Sequence, residues 1–292
     1  LVSLNRIADG DRMERSYFEN AGYAPHPRMA EIIEEIKSGL PSFYQQEIVY
    51  FFSKPVCSLL WELAISEEIR DINQLSVKFA ALPENEALTH LLSDVIEILC
   101  QEEGELCKDE MAMEKVVEDR PAFEKRLSDC PAISPADREK ALEILRYPED
   151  ARQRLVNLLE RYIQVFGNYV DELEALDRAE VQKRSEACLA NPEDFIANYL
   201  KISAKILEPA KRIDLIPNAF SEILTYVLQP EKDHFVLIYG TFISKKRSRE
   251  KRSEERKQFL KVLSEEKRVE IIKLLAVKPA IGSELAKQVG LT

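Results

Sequence analysis

The side chains that could carry chemistry in this 292-residue chain are thinly placed. Three histidines stand alone, at 26, 90 and 234. His26 lies between prolines, in Pro25-His26-Pro27, and reads as part of a loop. His90 follows Thr89 inside an apolar helical pattern, where it reads as a satisfied core or surface histidine. The five cysteines, at 57, 100, 107, 130 and 188, are odd in number and irregular in spacing, so no disulfide framework is implied. Cys100 and Cys107 would share a helix face with Glu102, Glu103 and Glu105 between them. Gly104 interrupts that segment and no histidine is near, so two small core residues fit better than a metal site. The 52 Asp and Glu residues are scattered at helix-surface spacing, and no acid–base pair stands out. With only 8 glycines, there is no glycine-rich phosphate loop. These residues predict no enzyme, no metal and no cofactor.

Charge distribution is the stronger signal. Between Lys245 and Thr292 stand 14 Lys/Arg and 7 Asp/Glu, a charge of +7. The other 27 basic and 45 acidic residues give −18, and the whole chain −11. Spread evenly, −11 would argue against nucleic acid; divided at 245, it suggests two parts with two tasks. Lys245, Lys246, Arg247 and Arg249 open the basic stretch, which reads equally as a connector or a solvated helix. At 45% apolar and 32% charged, the composition is that of an ordinary folded protein. No uninterrupted run of about 18 apolar residues exists to cross a membrane. The opening Leu1-Val2-Ser3-Leu4 has no basic flank and does not look like a signal peptide. Without a targeting segment, cytoplasm is the default location. A start inside an apolar stretch and an end at Gly290-Leu291-Thr292 both read as cuts in a longer chain.

The first two-thirds of the chain read as helices. Met29, Ile32-Ile33 and Ile36 recur at helical spacing and stop at Gly39. Pro41 to Phe52 gives a short segment, and Pro55 opens another with Leu59, Leu60 and Leu63. Ala87 to Cys100 carries a wide stripe of Leu88, Leu91, Leu92, Val95, Ile96 and Leu99. From Pro148 to about Leu176 one long helix is predicted, with proline in its first turn. Near 205–243 the texture changes. Ile213–Pro217 and Phe235–Gly240 are short apolar runs bounded by Pro, Asn and Gly, the punctuation of strands. Ala219 to Leu228 could be a helix or a third strand. The fold class is mainly α with a small sheet: residues 1–244 as a helical body, 245–292 as a separate basic part.

In the basic part, Phe259-Leu260, Val262-Leu263, Val269, Ile271-Ile272 and Leu274-Leu275 place an apolar face on two short helices. Ser264 can N-cap the second, with Glu265 and Glu266 at its positive end. Lys278-Pro279 ends it. The next stretch, Ser283-Glu284-Leu285-Ala286-Lys287-Gln288-Val289-Gly290-Leu291-Thr292, resembles the first half of a helix-turn-helix. Leu285, Ala286 and Val289 face the core, and Gly290 sits where the turn needs a positive φ. Thr292 is placed to N-cap the helix that enters the major groove. With Leu263–Leu275 before it, the composite resembles the winged-helix domain of the ArsR family of bacterial transcription regulators. The likeness spans Leu263 to Thr292, about a tenth of the chain, and the longer members with a large N-terminal domain are the nearer comparison.

That resemblance implies DNA binding, dimerisation and control by an effector. It places the recognition helix and wing beyond Thr292. Metal-sensing members carry a cysteine pair in the helix aligned with Ser283–Val289; here there is none, so arsenic or zinc sensing is not implied. Ser283 near a helix N-terminus, with Lys278 and Lys287 flanking, would position the domain on phosphates. Arg268 reads as a structural partner of Glu265. The long Pro148–Leu176 helix and the 247–262 connector are candidate dimer surfaces, the long helix reading better as core. The aromatics before residue 62 (Tyr17, Phe18, Tyr23, Phe43, Tyr44, Tyr50, Phe51, Phe52, Trp61) could line a pocket for a small-molecule effector, though core packing is their better use. The expectation is a homodimeric, DNA-binding regulator, more readily a repressor. The rivals are a winged-helix adaptor that binds protein without DNA, and an enzyme with an accessory winged helix.

Overall fold

The structure, a computed structural model, describes residues 1–9, 17–21, 23–52, 58–67, 69, 71–102, 117–203 and 205–243. The chain divides into two compact units, Leu1–Asn20 with Ala24–Ile243, and Ala21–Tyr23 with Ser244–Thr292. The first unit is mostly helical with one three-stranded mixed sheet. No helix among the described residues is long and apolar enough to cross a membrane.

Proline starts many of these helices. Pro27 opens α2 (Pro27–Gly39), Pro135 opens α8 (Pro135–Arg146) and Pro148 opens α9 (Pro148–Phe166), while Pro121 lies in the first turn of α7 (Arg120–Asp129). Proline's fixed φ suits that position, and its missing N–H has no intrahelical partner to lose there. Side-chain caps complete several starts: Asp119 accepts from Ala122 N–H at 3.1 Å in α7, and Ser134 Oγ accepts from Asp137 N–H at 3.2 Å in α8. Asp71 does the same for α5 (Ile72–Ala81). The remaining early helices are α1 (Val2–Asp9), α3 (Ser42–Phe52), α4 (Ser58–Ser66) and α6 (Glu84–Glu102).

Helix α9 is the axis of the body. Its stripe of Ala151, Leu155, Val156, Leu158, Leu159 and Tyr162 is buried against α2, α3, α5, α6 and α8. It is therefore an intrachain core helix. The single long helix predicted from Pro148 to Leu176 is two: a 3-10 turn at Gly167–Tyr169 ends α9, and α10 runs from Val170 to Ala190. Gly167 and Asn168 are poor helix formers, which gives the break its physical cause. On α10 only Leu173 and Glu180 are buried.

After α10 the chain forms a short turn, Pro192–Asp194, that widens into a π-helical turn at Phe195–Leu200 and ends at Lys201 with φ 61°. Three strands follow: β1 (Arg212–Asn218), β2 (Thr225–Glu231) and β3 (His234–Gly240). Their order is β1-β3-β2, with β1 parallel and β2 antiparallel to β3. The central strand carries Phe235-Val236-Leu237-Ile238-Tyr239, apolar without alternation, and is buried along its whole length, as a strand covered on both faces must be. The ambiguous Ala219–Leu228 stretch resolves into a 3-10 turn, Ala219–Ser221, and the start of β2. Asn218 caps that turn by accepting from Ser221 N–H at 3.0 Å.

One cysteine departs from expectation. Cys100, buried in the core beside Ile96 and Leu99, is disulfide-bonded. A single bridge needs only two Cβ atoms about 4 Å apart, a condition that irregular sequence spacing does not exclude. Cys130 and Cys188 are free thiols.

Candidate functional site

The apolar stripe of α6 packs on α8, and a partly open cavity of about 50 Å³ lies beside their contact. Phe51, Phe79, Leu92, Ile144 and Leu155 form its apolar lining, and Asp94, Asp137 and Lys140 its half-buried polar rim. His90, 3% exposed, lies edge-on to Phe79 with ring centres 6.3 Å apart. Burial pushes its imidazole down to about 4, so the ring is neutral at pH 7. A neutral imidazole offers one donor and one acceptor to whatever meets it. A water needs roughly 10–15 Å³ of such space, so the cavity has room for a few waters. Drug-sized sites run to about 300 Å³ and more, so a larger occupant requires α6 and α8 to part.

A charged network outside the cavity lining ties three of the surrounding helices. Glu47, buried on α3, receives Arg154 in a two-bond fork, Nε to Oε2 at 2.9 Å and Nη2 to Oε1 at 3.0 Å. Arg154 also donates to Glu143 on α8 at 2.8 Å and lies 4.5 Å above the Tyr50 ring. The bond to Glu47 holds the guanidinium firmly protonated against the opposing pull of burial. Burial likewise pushes the Tyr50 phenol up. Lys140 donates to the Tyr50 carbonyl and sits 4.9 Å from its ring. Helices α3, α8 and α9 are thereby tied together.

A second polar junction closes the sheet end. Arg6 and Glu222 are both fully buried and bonded, Nη1 to Oε1 at 2.9 Å. Arg6 also donates to the Phe220 carbonyl at 3.0 Å, and Glu222 Oε2 accepts from His26 N–H at 2.7 Å. Glu222 has φ 48° and ψ −84°, a strained backbone for a residue with a Cβ. Its surroundings enforce the strain: its N–H donates to Ala219 O at 3.2 Å, and its carbonyl accepts from Phe242 N–H at 2.8 Å. Opposite stands Gly240, where a Cβ would come within 2.0 Å of the Glu222 carbonyl oxygen, so glycine is required. The His26 ring stacks on Phe242 at 4.4 Å.

A third cluster lies between α10 and the sheet. Buried Glu180 accepts from Tyr199 Oη at 2.7 Å and Arg184 Nε at 3.1 Å, with the guanidinium 4.5 Å above the Tyr199 ring. Asp177, one turn earlier, lies near the Ala219 N–H, which favours its charged form. Burial pushes its carboxyl up to about 7, against the pull of that N–H and with help from Glu174. At the sheet's far end His234 Nε2 lies 2.9 Å and Arg212 Nη2 2.8 Å from Asp214 Oδ2. Partial burial opposes them, but these two partners hold the Asp214 carboxyl below its usual range.

The three histidines thus fall in three separate places. Among the described residues, no group of three or more His, Cys, Asp or Glu could hold a metal ion. Of the nine early aromatics, only Phe51 lines the cavity; Phe18, Tyr23 and Phe52 are buried core, and Tyr17 and Phe43 are exposed. The candidate DNA contacts Lys278, Ser283, Lys287 and Thr292, the connector residues Lys245, Lys246, Arg247 and Arg249, and Arg268 lie outside the described residues. Arg6, Glu47, Asp177, Glu180 and Glu222 were not singled out from sequence. The available signal was a charge inside an apolar run, as in Phe220-Ser221-Glu222-Ile223-Leu224. Compared with known proteins, the chain matches no family model, no curated protein and no solved structure.

Proposed function

We propose that this chain is a DNA-binding transcriptional regulator, a repressor of the ArsR type that works as a homodimer. Residues 245–292 supply the basic winged-helix part, and the helical body, residues 1–244, is a sensor or oligomerisation domain. The observation that carries this reading is one segment of sequence. A +7 stretch ends in Glu284-Leu285-Ala286 and Gly290-Leu291-Thr292, behind the apolar pattern Leu263–Leu275. The positive part would supply sequence-independent attraction to phosphate, while the −18 body would stay off the duplex. Lys278, Ser283, Lys287 and Thr292 would set the register of the domain on the backbone. The cavity beside His90 is the place we assign to a small-molecule effector.

The test uses the full-length protein, its own promoter fragment and random DNA of equal length. A regulator making six to ten phosphate contacts should lose about 10³-fold or more in affinity between 50 and 200 mM salt. It should also prefer its own fragment by at least about 10³-fold. Equal affinity for the two DNAs overturns the reading. Absence of DNA binding, with retention of a protein partner, would replace it with the adaptor reading.

A further inference from the structure

The buried carboxylates of the body are of two kinds. Glu47 faces Arg154, Glu180 faces Arg184 and Tyr199, and Glu222 faces Arg6 and the His26 N–H. Asp177 has no cation among the described residues. Its Oδ1 is buried and makes no hydrogen bond. The groups around it are few: the Ala219 N–H from the 3-10 turn, Glu174 from its own helix, and the Tyr239 phenol from β3. Glu180, the next carboxylate along that helix face, is occupied by Tyr199 and Arg184.

The turn that Asp177 touches is the one that carries Glu222. Ala219, Phe220, Ser221 and Glu222 are all buried, and the Glu222 N–H donates back to the Ala219 carbonyl. A disturbance at Ala219 therefore falls on a strained residue that also holds Arg6, His26 and the Phe242 N–H.

We propose that Asp177 is a proton-operated clasp: with its carboxyl protonated, α10 seats on the Ala219–Ser221 turn, and on ionisation the seat loosens and admits water. The physical reason is desolvation. A neutral carboxyl tolerates a buried oxygen without a partner, whereas a carboxylate there requires water. Glu174 adds repulsion, and the single Ala219 N–H does not offset both. The shift of Asp177 to about 7 puts the change at neutral pH. The inference concerns the body alone and holds whether or not the chain binds DNA.

Hydrogen exchange of the full chain, corrected for the intrinsic pH dependence of exchange, reads the clasp directly. Protection across Ala219–Leu224 should fall roughly tenfold between pH 6 and pH 8.5 as the carboxyl is released to water. Protection in α9 should not change. Asp177→Asn should hold the low-pH protection throughout, and Glu174→Gln should move the midpoint downward, because the negative charge that helps hold the Asp177 proton is gone. Carbon-13 titration of aspartate-labelled protein should place the Asp177 carboxyl near neutrality. A titration in the ordinary carboxylate range overturns the proposal, and so does a pH-dependent drop that survives Asp177→Asn.

Discussion

Arg6 sits in Leu4-Asn5-Arg6-Ile7, where Leu4 and Ile7 are buried, and its guanidinium is fully buried there with Glu222. Such a pair is weak evidence of net stabilisation, since both charges are taken from water. Breaking it is another matter. Arg6→Met leaves Glu222 as a buried carboxylate with only the His26 N–H, and should cost roughly 3–5 kcal/mol in urea unfolding. Adding Glu222→Gln should recover part of that loss, because the uncompensated charge goes. An Arg6→Met protein as stable as wild type would remove the pair from any account of the fold. Gly240→Ala tests the same junction from the other side. The added Cβ would meet the Glu222 backbone, which cannot swing away as a side chain can. Its cost should exceed the roughly 1 kcal/mol of an average substitution.

At the scale of elements, punctuation was the most legible feature. Gly39 ends α2 in sequence as in structure, although the helix begins at Pro27, which the sequence placed in a loop, and the runs Ile213–Pro217 and Phe235–Gly240 lie within β1 and β3. What could not be read depended on distant partners. Thr225–Glu231 becomes a strand because β3 offers it a partner, and propensity alone did not choose. The Arg6–Glu222 and Glu47–Arg154 pairs join residues 216 and 107 positions apart, which no periodicity encodes. The cavity rim was equally hidden, because His90 and Asp94 show only as polar interruptions of a leucine stripe. The Cys100 bridge gives this scale its own test. The chain has five cysteines, and the bridge consumes two. Thiol titration in denaturant should therefore find about three reactive thiols before reduction and five after. Five before reduction would show that the bridge does not form.

For the molecule as a whole, two buried groups should shape stability against pH in opposite senses. His90 titrates at about 4 in the fold and near 6.5 when unfolded. A lowered pKa contributes stability that is present above 6.5 and is lost as pH falls toward 4, by roughly 3 kcal/mol. Asp177 titrates at about 7 in the fold and near 3.8 when unfolded. A raised pKa contributes stability that is present below 3.8 and is lost as pH rises through 7. Between pH 4 and 6.5 the two slopes oppose each other. Asp177 is only half-buried, so solvent narrows the range over which it acts, and wild type should keep a modest rise in the upper part of that window. The lowered carboxyls of Asp214 and Asp233 act below it. Single variants separate the contributions. Asp177→Asn should steepen the rise from pH 4 to 6.5, since the opposing slope is gone. His90→Leu should reverse its sign, leaving stability that declines as pH climbs to 7. The double variant should be nearly flat. Urea midpoints taken at half-unit steps of pH resolve all four curves. A His90→Leu protein that still gains stability from pH 4 to 6.5 would show that another group controls the profile.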